Sequence, residues 1–268
     1  MIVITGATGQ IGSKIANMLL GKGMKIRVIG RSEEKLQSLK ERGAELAIGD
    51  QGDLRFLIKT FKGCDAVYLM IPAQLKMISL RSHYNRMGNV AAEAICKSGV
   101  KKVVFLSSLG AELNVWSSPV IGIHDVEVKL RMLMHVDLAI LRPGHYVEND
   151  RWNAFPLNNR YTNINSASPT ATVVMIGTRD IAKKAAMLLE TMSFTGHTVI
   201  DSFGELITYR EVTRRRLAKP LECRNYPVYR LPITGFANSI PDDGLYEKRI
   251  IRLLPKPQLS GRELLKQC

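Results

Sequence analysis

Three glycines at a regular spacing stand near the start of the chain. Gly6, Gly9 and Gly12 follow an apolar run and precede residues with helical apolar spacing. In Rossmann folds, one such glycine allows the tight turn, one lets a pyrophosphate approach, and one allows close helix packing. The backbone N–H groups and the positive dipole end of the helix then bind the phosphates. A dinucleotide site is therefore predicted at Gly6, Ala7, Thr8, Gly9, Gln10, Ile11 and Gly12; the alternative is a turn that needs positive φ and binds nothing.

The end of the second predicted strand indicates which dinucleotide is bound. NAD-dependent proteins of this fold usually place a carboxylate there to hold the ribose 2′-hydroxyl. This chain instead has Arg31, Ser32 and Lys35, two cations and a hydroxyl that suit a 2′-phosphate. NADP(H) is therefore favoured over NAD(H). The alternative is that both cations are solvated residues of a chain whose net charge is +14.

The next two strand ends add candidate contacts. Asp50 and Gln51 follow the third strand, where a carboxylate and an amide can bind the exocyclic amine of adenine. Helix capping by Asp50 or Asp53 is the alternative. The fourth strand leaves through an apolar, rigid turn that we expect to pack under the cofactor, Ile71, Pro72 and Ala73.

The elements that position these residues alternate between short β-branched runs and helical stretches, which is typical of βαβ units and a parallel sheet. The predicted strands are residues 2–5, 26–29, 45–48, 66–70, 103–107, 138–141 and 197–200. We expect an α/β fold, a doubly wound Rossmann sheet formed by residues 1–142 and completed by residues 176–202. Its last helix is predicted to have Thr178 as N-cap and Asp180 in its first turn. Residues 143–175 and 203–268 are predicted to form a smaller, discontinuous lobe on the substrate side.

Composition narrows the function classes. The chain has 268 residues, 46% of them hydrophobic, enough for a sizeable core and too many for a disordered protein. A strand beginning at residue 2 leaves no room for a signal peptide, so we expect a cytoplasmic protein without a membrane segment. The four cysteines have no zinc or disulfide spacing, so no metal site is expected. Lysines and arginines are scattered, which argues against nucleic acid as a partner.

In combination, these motifs resemble the NmrA-like family, atypical members of the short-chain dehydrogenase/reductase superfamily. The residues that carry the resemblance are the glycine loop, Arg31, Gly49-Asp50-Gln51, Ser107-Ser108-Leu109-Gly110-Ala111, the stretch from Leu141-Arg142-Pro143-Gly144 to Glu148-Asn149, and Arg179-Asp180-Ile181-Ala182. The similarity extends over nearly all of residues 1–200. It is strongest to the NADPH-dependent quinone reductases of the family.

The resemblance implies further site residues. It implies an NADP(H) site formed by the glycine loop, the turn from Arg31 to Lys35, Asp50-Gln51 and Ile71-Pro72-Ala73. Beside the nicotinamide it places Tyr146, Val147, Glu148 and Asn149. Several relatives carry a lysine or histidine about a dozen residues before the sixth strand, and His124 stands there. A histidine at this place can bind a carbonyl oxygen or deliver a proton after hydride transfer. It can also be an ordinary polar residue at the start of a helix.

Two departures from the superfamily bear on catalysis. Its usual mechanism needs a tyrosine followed four residues later by lysine, and none of the eight tyrosines is followed so. Residues 207–212 resemble the start of a family helix that Pro220 ends early. The leading hypothesis is NADPH-dependent hydride transfer to a quinone-like small acceptor. The alternative is an NADP(H)-binding redox sensor that acts through a protein partner; a homodimer is also left open. A nucleotide-sugar epimerase or dehydratase is disfavoured by the missing Tyr-Lys pair.

Overall fold

A computed structural model describes residues 1–73, 79–113, 120–152, 154–157, 160–163, 170, 172–208 and 210–211, and for 150–163 it describes only the backbone. The strands are β1 Ile2–Ile4, β2 Ile26–Gly30, β3 Glu45–Ile48, β4 Ala66–Leu69, β5 Lys102–Leu106, β6 Asp137–Pro143, β7 His145–Tyr146, β8 Ala154–Leu157, β9 Arg160–Asn163, β10 Thr172–Ile176, β11 His197–Ser202 and β12 Glu205–Thr208. The α-helices are α1 Gly12–Gly21, α2 Gln37–Glu41, α3 Leu54–Phe61, α4 Leu80–Ser98, α5 Ile121–Arg131 and α6 Thr178–Thr191. Two 3-10 segments are Glu34–Leu36 and Val147–Trp152.

The main sheet has seven parallel strands in the order β11-β6-β5-β4-β1-β2-β3. The chain runs outward from β1 to β3, then crosses back to β4 on the other side of β1. The loop after β1 thus lies at the switch point, where ligands of doubly wound sheets bind. All seven strands predicted from the sequence are confirmed, and with them the α/β Rossmann class.

Both faces of the sheet are buried, as expected for parallel strands. On one face, Ile2, Ile4 and Val28 pack with helix residues such as Ile15 and Ile181 from α1 and α6. On the other, alternate strand residues pack with α3, α4 and α5. The helices therefore hold the carboxyl edge of the sheet in place.

Three strands lie outside this sheet and form a second one, in the order β12-β10-β7, while β8 and β9 form an antiparallel hairpin. β10 pairs parallel with β7, with Ile176 opposite Tyr146. These strands come mainly from the two segments expected to form the substrate-side lobe. The described residues contain no helix long and apolar enough to cross a membrane.

Candidate functional site

The glycine loop has the geometry that its spacing predicts. Gly6 has φ +62°, a left-handed conformation that favours glycine, and Gly9 N donates to Gly6 O at 2.9 Å. A Cβ on Gly12 would lie 2.3 Å from Gly6 O, so any side chain there meets backbone. A Cβ on Gly9 would lie 3.2 Å from the same oxygen, a tight but less severe approach. Gly6 and Gly12 are thus demanded by the fold, whereas the fold constrains Gly9 less.

Helix α1 begins directly after this loop with a non-polar residue, Ile11, at its N-cap position. Ile11 has no side-chain acceptor, and the first turn contains no acidic residue. The positive end of the helix dipole is therefore left uncompensated by these positions, which suits an incoming phosphate.

Two cations lie at the end of β2. Arg31 and Lys35 are exposed, and neither forms an ion pair with a residue that the structure describes. Lys35 N donates to Ser32 Oγ at 3.5 Å, and Glu33 is paired with Lys40 at 2.6 Å. The only acidic neighbours in this turn, Glu33 and Glu34, thus leave both cations unpaired. They are available to an anion such as a 2′-phosphate.

The polar residues after β3 have separate tasks. Asp53 caps α3, accepting from Arg55 N and Phe56 N at 2.8 and 3.2 Å. Asp50 accepts from Gly52 N at 2.6 Å and so closes a local turn. Of the two capping candidates, Asp53 is therefore the cap.

Gln51 contacts the glycine loop itself. With its amide oriented to satisfy both groups, the side-chain oxygen accepts from Gly6 N at 3.1 Å and the nitrogen donates to Met70 O at 3.3 Å. Gln51 therefore joins the ends of β3 and β4 to the loop after β1. The contact with adenine stays a prediction.

The turn after β4 is held by a histidine that sequence reasoning missed. His83 of α4 is only 1% exposed, and its Nε2 lies 2.9 Å from Pro72 O. Because a carbonyl oxygen can only accept, Nε2 must carry the proton. His83 thus fixes Ile71, Pro72 and Ala73 at the edge of the site, and no motif in the sequence announces it.

The segment after β7 reaches the start of α6. Both carboxylate oxygens of Glu148 accept from Thr178 N, at 3.1 and 3.0 Å, and Thr178 Oγ1 donates to Glu148 at 2.5 Å. Burial raises the pKa of Glu148, but these hydrogen bonds outweigh it and the net pKa is below the usual value. The prediction of Thr178 as N-cap was wrong: Gly177 holds that position and Thr178 is the first helical residue. The cap comes from a remote carboxylate instead.

The neighbours of Glu148 differ in exposure. Tyr146 is half-buried, and burial raises the pKa of its hydroxyl, so it stays protonated at neutral pH. Val147 and Asn149 are exposed. A protonated phenol is a hydrogen-bond donor, which a carbonyl acceptor can use.

His124 lies in the first turn of α5. Its Nδ1 donates to Ala111 O at 2.7 Å, which ties α5 to the segment after β5 and leaves only Nε2 to exchange a proton. The ring also lines a shallow groove of about 750 Å³ between α4 and α5, with Arg81, Asn85, Asp125, Val128, Lys129 and Met132. Asp125 in that groove has a lowered pKa because Arg81 binds it. The catalytic role of His124 stays a prediction.

A sequence profile of the NmrA-like family matches residues 1–228. The chain belongs to the NmrA-like family. One relative, the (4-alkanoyl-5-oxo-2,5-dihydrofuran-3-yl)methyl phosphate reductase of Streptomyces griseus, is 26% identical over 224 residues, 82% of this chain and 75% of that protein. Quinone oxidoreductase 2 of Escherichia coli is 29% identical over 154 residues, 56% of this chain and 50% of that protein.

Solved structures share the fold of this NmrA-like chain. An NADPH-dependent quinone oxidoreductase of Escherichia coli, complexed with NADPH, has a TM-score of 0.61 and 24% identity over 81% of this chain and 75% of that one. Triphenylmethane reductase of Citrobacter sp., complexed with NADP(H), has a TM-score of 0.63 and 21% identity over 80% and 74%. The resemblance inferred from the motifs is confirmed.

The carboxyl end of β6 in this NmrA-like chain contains a buried ionic network that sequence reasoning missed. Arg142, at the end of β6, donates two hydrogen bonds to the carboxylate of Glu127 in α5, of 2.9 and 2.6 Å. Their side chains are 11% and 3% exposed. Ser107 Oγ also donates to Glu127. Burial lowers the pKa of Arg142, but the pairing with Glu127 outweighs it and the pKa is raised.

Two further carboxylates crowd this network. Glu112 Oε2 lies 3.4 Å from Arg142 Nη1 without a well-formed hydrogen bond, and Asp201 Oδ1 is buried without a hydrogen-bond partner among the described residues. Burial raises the pKa of Asp201, Arg142 lowers it, and Glu112 and Glu127 raise it, for a net rise. The signal in the sequence was Arg142 within its family motif, but nothing there named its partners.

Among the described residues, no cluster of three His, Cys, Asp or Glu side chains could hold a metal ion. Cys64 and Cys96 are free thiols, and burial raises the pKa of Cys64 to about 11. Cys223, Cys268, Tyr209 and the early Pro220 lie outside the described residues.

Proposed function

We propose that this chain is an NADPH-dependent oxidoreductase that transfers a hydride to a quinone-like small molecule. The observation that carries the proposal is that an uncompensated helix terminus lies at the switch point of the sheet together with two cations, Arg31 and Lys35, that form no ion pair with a described residue. NADPH presents a pyrophosphate and a 2′-phosphate, and these features suit each of them. Relatives named as reductases support the reaction class.

In the proposed complex, Gly6 to Gly12 bind the pyrophosphate, and Arg31 and Lys35 bind the 2′-phosphate. Asp50 and Gln51 lie toward the adenine, Ile71, Pro72 and Ala73 pack under the cofactor, and the segment from Tyr146 to Asn149 borders the nicotinamide. NADPH supplies the hydride. The protein then needs to orient the acceptor, exclude water and provide a proton, which demands few catalytic side chains.

His124 is the proposed proton donor. Its Nδ1 is held by Ala111 O, so Nε2 is the atom that would give up the proton. In His124→Ala we expect at most severalfold weaker NADPH binding and a fall in kcat of about 10²-fold or more. Because a general acid must be protonated to act, kcat of the wild type should fall as pH rises, and His124→Ala should flatten that limb. A fall below about tenfold would reduce His124 to a positioning residue.

The second candidate is an NADP(H)-binding redox sensor that acts through a protein partner. Two observations favour it. The sequence has no Tyr-Lys pair, and the hydroxyl of Ser107, at the end of β5, donates to Glu127 instead of facing an open site. Titration of NADPH followed by turnover with several quinones separates the two. Tight binding with turnover supports the reductase, and tight binding without turnover supports the sensor.

A further inference from the structure

Three polar side chains from three distant parts of the chain meet between α1 and α6. Thr178 Oγ1 accepts from Lys14 Nζ at 3.0 Å and donates to Glu148 at 2.5 Å. Lys14 Nζ also donates to Gln10 O, inside the glycine loop, at 2.8 Å. An unbroken chain of hydrogen bonds therefore runs from Gln10 to Glu148.

The topology explains why these residues meet. β7 and β10 are parallel neighbours with Tyr146 opposite Ile176, so the residues two positions further on, Glu148 and Thr178, lie side by side. α6 starts at Thr178 and packs beside α1, whose first turn carries Lys14. The pairing of β7 with β10 thus brings the Glu148 carboxylate to the start of α6. The packing of α6 beside α1 brings the Lys14 ammonium to the same place.

Thr178 at the centre of this chain of hydrogen bonds is buried and bonded on both sides. Thr178 is 1% exposed, and its hydroxyl both accepts and donates while its N–H bonds the carboxylate. Both oxygens of Glu148 are occupied by Thr178. Such directional, buried networks hold one geometry and couple their ends.

We propose that Lys14, Thr178 and Glu148 form a positioning relay that couples the glycine loop to the segment from Tyr146 to Asn149. In this relay Glu148 acts through Thr178. The inference rests on the proposed function in one respect: the coupled segments are the two that flank the proposed NADPH. Through the relay, occupancy of the glycine loop stiffens the segment from Tyr146 to Asn149, and the reverse holds equally.

The first test needs no cofactor. Hydrogen–deuterium exchange is measured on peptides that cover residues 6–12 and 145–149 in Lys14→Met, Glu148→Gln, Thr178→Val and Thr178→Ser. A relay predicts that Lys14→Met speeds exchange severalfold in 145–149, and that Glu148→Gln does so in 6–12. Thr178→Val should affect both segments, and Thr178→Ser, which keeps the hydroxyl, should resemble the wild type. The matched control is Lys183→Met, which replaces an exposed lysine of α6 that is paired with Asp180. It should change exchange in neither segment.

The outcome that overturns the relay is local behaviour, in which Lys14→Met loosens only residues 6–12 and Glu148→Gln only residues 145–149. If Thr178→Val fails to fold, the two outer variants still decide the question because each reports on the segment that it does not touch.

The second test is a double-mutant cycle on NADPH affinity with Lys14→Met and Glu148→Gln. Each single variant should weaken NADPH binding about fivefold or more. The double variant should bind NADPH no more weakly than the weaker-binding single variant, because either substitution alone already removes the coupling. Multiplying losses would overturn the relay. A wild type that does not bind NADPH would contradict the proposed function, and the exchange experiment would then decide the relay alone.

Discussion

The proposed cofactor side and the proposed acceptor side of this sheet are built by different means. At the proposed cofactor side, the ends of β1 to β4, the decisive groups are backbone amides, glycines and two cations, Arg31 and Lys35, that form no ion pair with a described residue. At the acceptor side, the ends of β5, β6 and β11, they are charged side chains buried against one another around Arg142. The first region keeps its charge open to a ligand, whereas the second uses its charge to hold the structure.

Arg31 suits the binding of an anionic ligand and Arg142 does not. Arg142 is 11% exposed and forms an ion pair with Glu127. If it turned toward a ligand, the buried carboxylate of Glu127 would lose its counter-ion. Arg31 is exposed and unpaired among the described residues, so an anion can bind it at little cost. The predictions that follow separate the two regions.

The largest expected effect is on the acceptor side. Glu127→Ala leaves Arg142 buried without its main partner, and removing one member of a buried pair costs about 3–5 kcal/mol. Urea unfolding followed by circular dichroism measures the loss. The matched control is Glu93→Ala, which breaks an exposed pair with Lys97 and should cost about 0.5 kcal/mol or less. A loss of less than about 1 kcal/mol for Glu127→Ala would mean that the network is solvated, and the contrast between the regions would disappear.

The next effect is on binding at the cofactor side. Gly9→Val projects a branched side chain where the pyrophosphate approaches, and NADPH binding should weaken more than about 100-fold, or ~2.7 kcal/mol. The melting temperature should change much less, because a Cβ there lies 3.2 Å from Gly6 O.

Gly12→Ala provides the contrast within the same loop. Its Cβ would lie 2.3 Å from Gly6 O, so the fold itself should lose about 1–3 kcal/mol. Normal NADPH binding by Gly9→Val would show that the cofactor site is misplaced.

A smaller effect is expected for cofactor choice. Arg31→Asp removes a cation and adds a carboxylate that suits a 2′-hydroxyl, so the preference for NADPH over NADH should narrow about tenfold, or ~1.4 kcal/mol, and can reverse. The control is Lys25→Asp, the same charge change at the opposite end of β2. Equal effects of both variants would assign the preference to net charge instead of to a phosphate contact.

The smallest effect concerns Asp201. Its pKa is raised in the folded protein, so between its ordinary value and the raised value the unfolded chain loses the proton first and folding weakens as pH rises. Asp201→Asn removes this dependence, and the variant should equal or exceed the wild type in stability at neutral pH. Thermal melts between pH 4 and pH 7 measure the difference, which should grow from about pH 4 upward. A variant that is less stable at neutral pH would show that the carboxylate is needed ionised.

The two regions also differ in how far the sequence predicts them. The seven strands and the glycine loop follow from local patterns, since Gly6 adopts a positive φ in a tight turn and a Cβ on Gly12 would meet Gly6 O, six residues before it. The carboxylates around Arg142 are far from it in sequence: Glu127 is 15 residues away, Glu112 is 30 and Asp201 is 59. Only the packing of elements such as α5 and β11 brings them together. Thr178 was misjudged as a local cap for the same reason, because its carboxylate partner is 30 residues away.

The most direct test of the account is steady-state oxidation of NADPH and NADH by the purified protein with a set of quinones. We predict turnover with at least one quinone and a kcat/KM for NADPH at least about tenfold that for NADH, as one charge-assisted phosphate contact can supply. Tight NADPH binding with no turnover would contradict the reductase and favour the sensor, and equal kcat/KM values would contradict the role given to Arg31 and Lys35.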